Sequence, residues 1–376
     1  MNTIFTTRAT IFVLLTTFII YIYSRNVGGS QDISIYGLCF FLLCYLLSLK
    51  NIKKNLLSNK LILSSCVVVL GGMIFSVLYR GTTSNSALYP LLNFMFPILI
   101  AQSSLFKEGD FLKYQLIFGI ILIFSILYLD ISNLSQEAGD GGLNGNNLGS
   151  IIVILSICLL LLTNLSNLIG KIAITGVIIL SFTLILISHS RTSLMVFMLF
   201  LVGKFLPTRF FNKKILRFCF LFLTFGSLLF MLIYIQMYIT NFNLQEYLTF
   251  LSSEKSAFSG RQFIWMEAFD ILLSNPFGVG YNYIIYCFET NELHNIVLTM
   301  YIYYGVIVAT AMLVLLNKVV FILIDRVDDT QIKDSLVAFG CFLFMNFTEA
   351  ILLGTPLLFF PLFVAYHKYN TLLSLK

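Results

Sequence analysis

Residues 172–206 read IAITGVIILSFTLILISHSRTSLMVFMLFLVGKFL. Two apolar runs, 172–188 and 192–206, are separated only by the short polar step His189-Ser190-Arg191. Lys171 precedes the first run and Lys204 lies near the end of the second, with Arg191 between them. Cytoplasmic ends of membrane helices collect Lys and Arg. The stretch therefore reads as a hairpin of two membrane helices that crosses outward, turns at His189-Ser190-Arg191 and returns, leaving Arg191 on the outer side.

The same reading extends in both directions. Hydrophobic residues make up 59% of the chain and charged residues 11%, with a mean hydropathy of +0.93. That charge is about half of what a soluble domain carries, and the apolar residues fall in runs long enough to span hydrocarbon. Inside lipid the backbone must pair within itself, so the runs are expected as helices. They are too continuous for a barrel, whose strands alternate at every second residue. The expected fold is all-α, a polytopic integral membrane helical bundle. About 12 transmembrane helices are placed near 9–23, 33–49, 61–79, 86–105, 112–131, 148–165, 172–188, 192–206, 215–238, 294–322, 336–353 and 356–369. The whole chain, 1–376, reads as a single transmembrane domain. The first run has no small-residue cleavage site and counts as a helix, not as a signal peptide. With both termini cytoplasmic, the outer side holds only Arg25, Arg80, Arg191, Lys255 and Arg261 of the 23 basic residues. That asymmetry supports both the orientation and the even number of crossings.

The net charge of +6 follows from these inner loops and does not point to nucleic acid. Of the seven cysteines, Cys39, Cys44, Cys66, Cys158, Cys219 and Cys341 lie in apolar runs and Cys287 outside them. They form neither a disulfide framework nor a zinc spacing and read as small apolar fillers.

Two outer segments carry content. Residues 132–147, SNLSQEAGDGGLNGNN, are rich in turn formers and read as a solvated loop. Residues 240–293 form the longest loop and contain RQFIWMEAFDILLSNP, residues 261–276. Ser259-Gly260 starts a helix there and Asn275-Pro276 stops it. Its polar stripe is Glu267, Asp270 and Ser274, so this amphipathic helix should lie on the outer bilayer surface or on the top of the bundle. NPFGVGYNY follows at 275–283, with two glycines that permit a tight turn.

Ionisable groups at helix ends are the candidates for chemistry. They are His189, Arg191, Arg261, His294 and Glu349. Arg191 reads equally as an interfacial anchor or as a site residue. Arg261 opens the amphipathic helix, where a positive charge opposes the helix dipole and an anionic partner would relieve it. His189 reads as an ordinary interfacial residue and His367 has no assigned role. A carboxylate at Glu349 calls for a partner such as an arginine. No metal site, Ser-His-Asp triad or phosphate-cradling glycine loop is present in the spacing.

Three pieces in order, SHSRTSLMVF (188–197), GRQFIWMEAFDILLSNPFGVGYN (260–282) and LHNIVLTMYIYYGVIVA (293–309), resemble the bacterial O-antigen polymerases and O-antigen ligases. The likeness lies in an arginine opening a helix after a short external turn, an arginine before an aromatic-rich helix and an Asn-Pro-x-Gly-x-Gly turn, and a His-Asn pair followed by a glycine. It covers residues 189–308. Ligases usually carry a second glycine where Val308 stands.

The resemblance implies a surface-polysaccharide, O-antigen polymerase of lipopolysaccharide biosynthesis in the bacterial inner membrane. It would transfer glycan from undecaprenyl diphosphate to a lipid-linked repeat unit on the periplasmic face. The alternatives are a ligase acting on the lipid A-core and a flippase or transporter. Against a transporter, the middles of the spans are nearly chargeless. The implied catalytic residues are His294, Arg191, Arg261 and Glu349. Arg191 and Arg261 would clamp the diphosphate, and His294 or Glu349 would accept the acceptor hydroxyl's proton. Trp265, Tyr281 and Tyr283 are candidates for stacking on sugar, or else belong to the interfacial aromatic belt, and Asn295 is a candidate substrate contact. No metal or other cofactor is expected. The expected partners are the undecaprenyl-diphosphate-linked oligosaccharide and membrane lipid, with a chain-length regulator and a flippase as candidate protein partners.

Overall fold

The computed structural model describes residues 64, 67, 71, 145–162, 168–240, 261–279, 293–347 and 356–374. Apart from Ser64, Val67 and Gly71, the first five expected spans lie outside the described residues, as do the loop residues 132–144, Tyr281, Tyr283 and Glu349.

Among the described residues the structure is helical throughout and contains no strand. The helices are α1 (Gly145–Leu162), α2 (Leu168–Ile187), α3 (Arg191–Phe205), α4 (Lys213–Thr240), α5 (Arg261–Ser274), α6 (Ile296–Ile324), α7 (Thr330–Met345) and α8 (Phe360–Ser374). Short 3-10 turns, Thr208–Phe210 and Pro356–Phe359, precede α4 and α8. α4 and α6 are long and apolar enough to cross a membrane. At 28 residues α4 is roughly 42 Å long and exceeds a hydrocarbon core of about 30 Å, and α6 has 29 residues. The outward surface is apolar, with Phe218 69% and Ile307 70% exposed. A water-facing surface rarely carries so many large apolar side chains together, whereas lipid accommodates them without cost. The described helices thus belong to a helical membrane protein.

α7 is buried on nearly every face, from Ile332 to Met345. Phe339 of α7 stacks on Phe220 of α4 and packs against Phe359. α3 approaches α7 closely at Gly203, where an added Cβ would meet the side chain of Val337. Small residues permit such contact between membrane helices. Several polar groups inside the bundle pair with one another. Ser156 of α1 donates to Ile152 O, so Ser181 of α2 supplies the proton in the 2.6 Å bond between the two hydroxyls. Asn317 of α6 donates to Thr224 of α4 at 2.9 Å.

Helix order is pinned at one end by charge. Lys204, at the end of α3, pairs with Asp334 of α7 at 3.0 Å. Lys333 makes a 2.8 Å charge contact with the other Asp334 oxygen, without hydrogen-bond geometry. Its ammonium donates to the carbonyls of Gly203, Lys204 and Leu206 at 3.2, 2.6 and 2.9 Å. Lys333 thereby satisfies acceptors that the last turn of α3 leaves open, and its charge opposes the negative end of that helix dipole. Lys213 and Arg217 of α4 pair with Asp328 and Asp325 just after α6. The end of α3, the start of α4, the end of α6 and the start of α7 therefore share one end of the bundle.

The α7 boundaries correct the sequence reading. The eleventh span was expected at 336–353, but the helix runs from Thr330 to Met345. Asp329 caps it by accepting from the backbone N–H groups of Gln331 and Ile332. Lys333 and Asp334, excluded by an apolar pattern, enter the helix because each is neutralised within the fold.

Asp334→Ala would strand two buried ammonium groups and is expected to destabilise by about 3–5 kcal/mol. Asp328→Ala, which opens a solvent-exposed pair, is expected to cost less than about 1 kcal/mol. Thermal unfolding of the purified protein in detergent compares the two.

Candidate active site at the arginine end

Because the charged ties fix one end, the opposite end gathers the start of α3, the end of α4, the start of α6 and the end of α7. Arg191, Arg261 and His294 are all carried there. Arg191 is the first residue of α3 and is exposed. It follows a turn in which His189 takes a left-handed φ of 52°. The turn is braced by a 2.7 Å bond from the Ser190 to the Ser193 hydroxyl and by Gly149 of α1. A Cβ at Gly149 would come within 2.8 Å of the Ser188 and Ser193 hydroxyl oxygens.

Arg261 is the first residue of α5. Ile264, Trp265, Ala268 and Ile271 form the buried stripe of this helix, at helical spacing. Trp265 is 1% exposed. Its indole N–H donates to Leu293 O at 2.8 Å, and its ring meets Tyr234 of α4 edge-on at 5.1 Å. Phe263 meets Tyr238 in the same manner. Arg261 lies within electrostatic reach of the Tyr234 phenol. α5 thus docks lengthwise on α4 and α6 and joins the bundle through its aromatic face.

His294 sits between two anchored neighbours. Before it, Leu293 O accepts from Trp265. After it, Asn295 is the N-cap of α6: its side-chain oxygen accepts from Leu298 N at 3.0 Å and its Nδ2 donates to Phe347 O at 3.3 Å. Ile296 N donates to Asn346 O, a second tie to the end of α7. Held on both sides, His294 takes a φ of 51° and is partly exposed, while Leu293 and Asn295 are buried. Left-handed φ is uncommon outside glycine and persists where the surroundings impose it.

Asn295, a candidate substrate contact, is fully buried, and both ends of its amide bond within the protein. Trp265, a candidate for stacking on sugar or else for the interfacial aromatic belt, has its ring buried and its N–H donating to Leu293 O. Both side chains brace the backbone on either side of His294. Among the described residues no group of three His, Cys, Asp or Glu side chains is placed to hold a metal ion.

The sequence reading missed the break in α6. Gly305 has φ 78° and ψ 170°, outside helical values. Val306 N donates to Pro276 O at 2.8 Å instead of to Ile302 O, and Ile302 O accepts from Val279 N at 2.7 Å. The turn after α5 therefore replaces one rung of α6. The signal was the glycine in each of two separate motifs, which only the fold brings together.

Asn295→Ala should cost about 1–2 kcal/mol through the lost cap. Asn295→Asp keeps the capping oxygen but turns the Nδ2 donor to Phe347 O into a buried carboxylate oxygen, so it should not recover that loss in thermal unfolding. Trp265→Phe should cost about 1 kcal/mol for the one hydrogen bond removed.

No curated protein and no solved structure gives a match to the chain. A protein-family model does: residues 176–314 match Wzy_C, described as O-antigen ligase. The matched region runs from α2 into α6 and contains Arg191, Arg261, Trp265, His294 and the α6 break at Gly305. Over this stretch the chain is similar to the O-antigen ligase family.

Proposed function

We propose that the protein is a polyprenyl-diphosphate-dependent glycosyltransferase that polymerises surface polysaccharide, with Arg191, Arg261 and His294 as its reactive residues. The supporting observation is that the three side chains share one end of the bundle, inside the family-matched region. Two arginines and an imidazole there suit a reaction that releases a diphosphate.

In this reading a lipid-linked saccharide enters from the bilayer. The bond between its anomeric carbon and the diphosphate breaks, and the electron pair leaves with the diphosphate. Arg191 and Arg261 stabilise the growing negative charge, since planar guanidinium groups match phosphate oxygens. That stabilisation is the main catalytic contribution. The acceptor hydroxyl of a second lipid-linked unit attacks the anomeric carbon from the opposite side, inverting it, and gives its proton to the imidazole of His294. Two arginines supply the charge compensation that a divalent metal would otherwise provide. Glu349 is a second candidate base or an orienter of an arginine. Tyr281 and Tyr283 are candidates for sugar contact. The site faces the periplasm of the inner membrane, both termini lie in the cytoplasm, and a chain-length regulator and a flippase are candidate partners.

A ligase, which delivers the glycan to a lipid A-core, would use the same residues, and the family match is equally consistent with it. The two readings separate in a deletion strain. Loss of a polymerase leaves core carrying one repeat unit, whereas loss of a ligase leaves bare core.

Arg191→Ala, Arg261→Ala and His294→Ala are each expected to abolish polymer while the protein still inserts, and Lys255→Ala should be nearly silent. Gel profiles of complemented strains, with immunoblots of the membrane fraction, measure this. A normal length distribution in any one alanine variant would remove that residue from the mechanism.

A further inference from the structure

We infer that Gly278 and Gly305 form a backbone clasp that sets the register of α5 against α6, which makes them positioning residues for Arg261 and His294. The inference rests on reading those two side chains as parts of one site and adds what holds them in place.

α5 is attached to α6 at two levels. Near its start, Trp265 bonds to Leu293 O. Beyond its end, Pro276 O and Val279 N exchange hydrogen bonds with Val306 N and Ile302 O at 2.8 and 2.7 Å. Twelve residues separate Trp265 from Phe277 and twelve separate Leu293 from Gly305. α5 and the first part of α6 therefore run side by side in the same direction with matched spacing. A change at the lower attachment is carried along α5 to Arg261.

The lower attachment requires glycine twice. Gly278 has φ 84° and Gly305 has φ 78°. A Cβ on Gly278 would collide with Gly305 N and would lie 2.8 Å from Tyr303 O and 2.9 Å from Ile302 O. A Cβ on Gly305 would collide with the backbone of Phe277. The obstructing atoms are backbone, so no side chain can swing aside. Each glycine thus meets two demands, left-handed φ and direct backbone contact, and the demands are reciprocal. The exchange also keeps paired an N–H and a C=O that the helix break would otherwise orphan in apolar surroundings.

The test uses the full-length protein in nanodiscs. Trp265 is the chain's only tryptophan, so its emission and acrylamide quenching report directly on α5 docking. Gly278→Ala and Gly305→Ala should shift the emission to the red and increase quenching severalfold. Turnover of a lipid-linked repeat unit should fall about a hundredfold. Donor KM should change by less than about threefold, because uniform binding is spared.

Val306→Pro is the gentler variant. It removes only the N–H that bonds to Pro276 O, and proline is tolerated at the first position of a helical segment. It should move emission and turnover the same way by a smaller amount, and it decides the matter if either alanine variant fails to fold. Native emission and quenching in the folded variants would overturn the clasp. Altered emission with wild-type turnover would overturn its link to the site. Arg261→Ala serves as the separate check on the site: it should lose turnover with native Trp265 emission. If it stays active, the assignment of Arg261 fails while the emission data still judge the clasp.

Discussion

A helix that breaks in apolar surroundings must find new partners for the backbone groups it releases, because water is not there to take them. α6 breaks at Gly305, and the bond between Val306 N and Ile302 O is replaced by two bonds to the turn at residues 276–279. The requirement to keep these groups paired ties an extramembranous-looking loop segment to the middle of a membrane helix. Much of the arrangement at the arginine end follows from it. α5 lies along α6, Trp265 reaches Leu293 O, and His294 is held between a bonded carbonyl and a capping asparagine.

The two ends of the bundle use charge differently. At one end Lys204, Lys333 and Asp334 are buried and spend their charge on each other and on the closing carbonyls of α3. Such a cluster is costly to desolvate, and its clearest effect is to define which helix ends meet. At the other end Arg191 is exposed and His294 partly exposed, on backbone that is itself firmly anchored. Rigid support beneath an accessible guanidinium and imidazole is the arrangement that the proposed reaction calls for, since it holds a substrate in one geometry.

Two of the candidate side chains have bracing contacts that residue type alone does not announce. An asparagine next to a histidine and a tryptophan in an aromatic helix are both ordinary choices for sugar contact. Here Asn295 closes α6 and ties it to Phe347 O, and Trp265 pins α5 to the residue before His294. The misplacement of α7 has a related origin. A rule that ends a membrane helix at the first charge cannot foresee that Lys333 will find three carbonyls and Asp334 two lysines.

The helical membrane class, the hairpin at His189-Ser190-Arg191 and the three short motifs were legible in the sequence. Each depends on local pattern: apolar run length, basic residues at loop ends, and turn formers at fixed offsets. The side of the bundle carrying Arg191, Arg261 and His294 was also readable, because antiparallel crossings alternate. What only the tertiary structure decided is how those motifs touch. That Gly278 lies against Gly305, that Leu293 accepts from Trp265 and that Lys333 closes α3 are contacts between residues far apart in the chain. They arise from satisfying backbone groups and buried charges in a medium without water, and no local pattern encodes which distant group will do it.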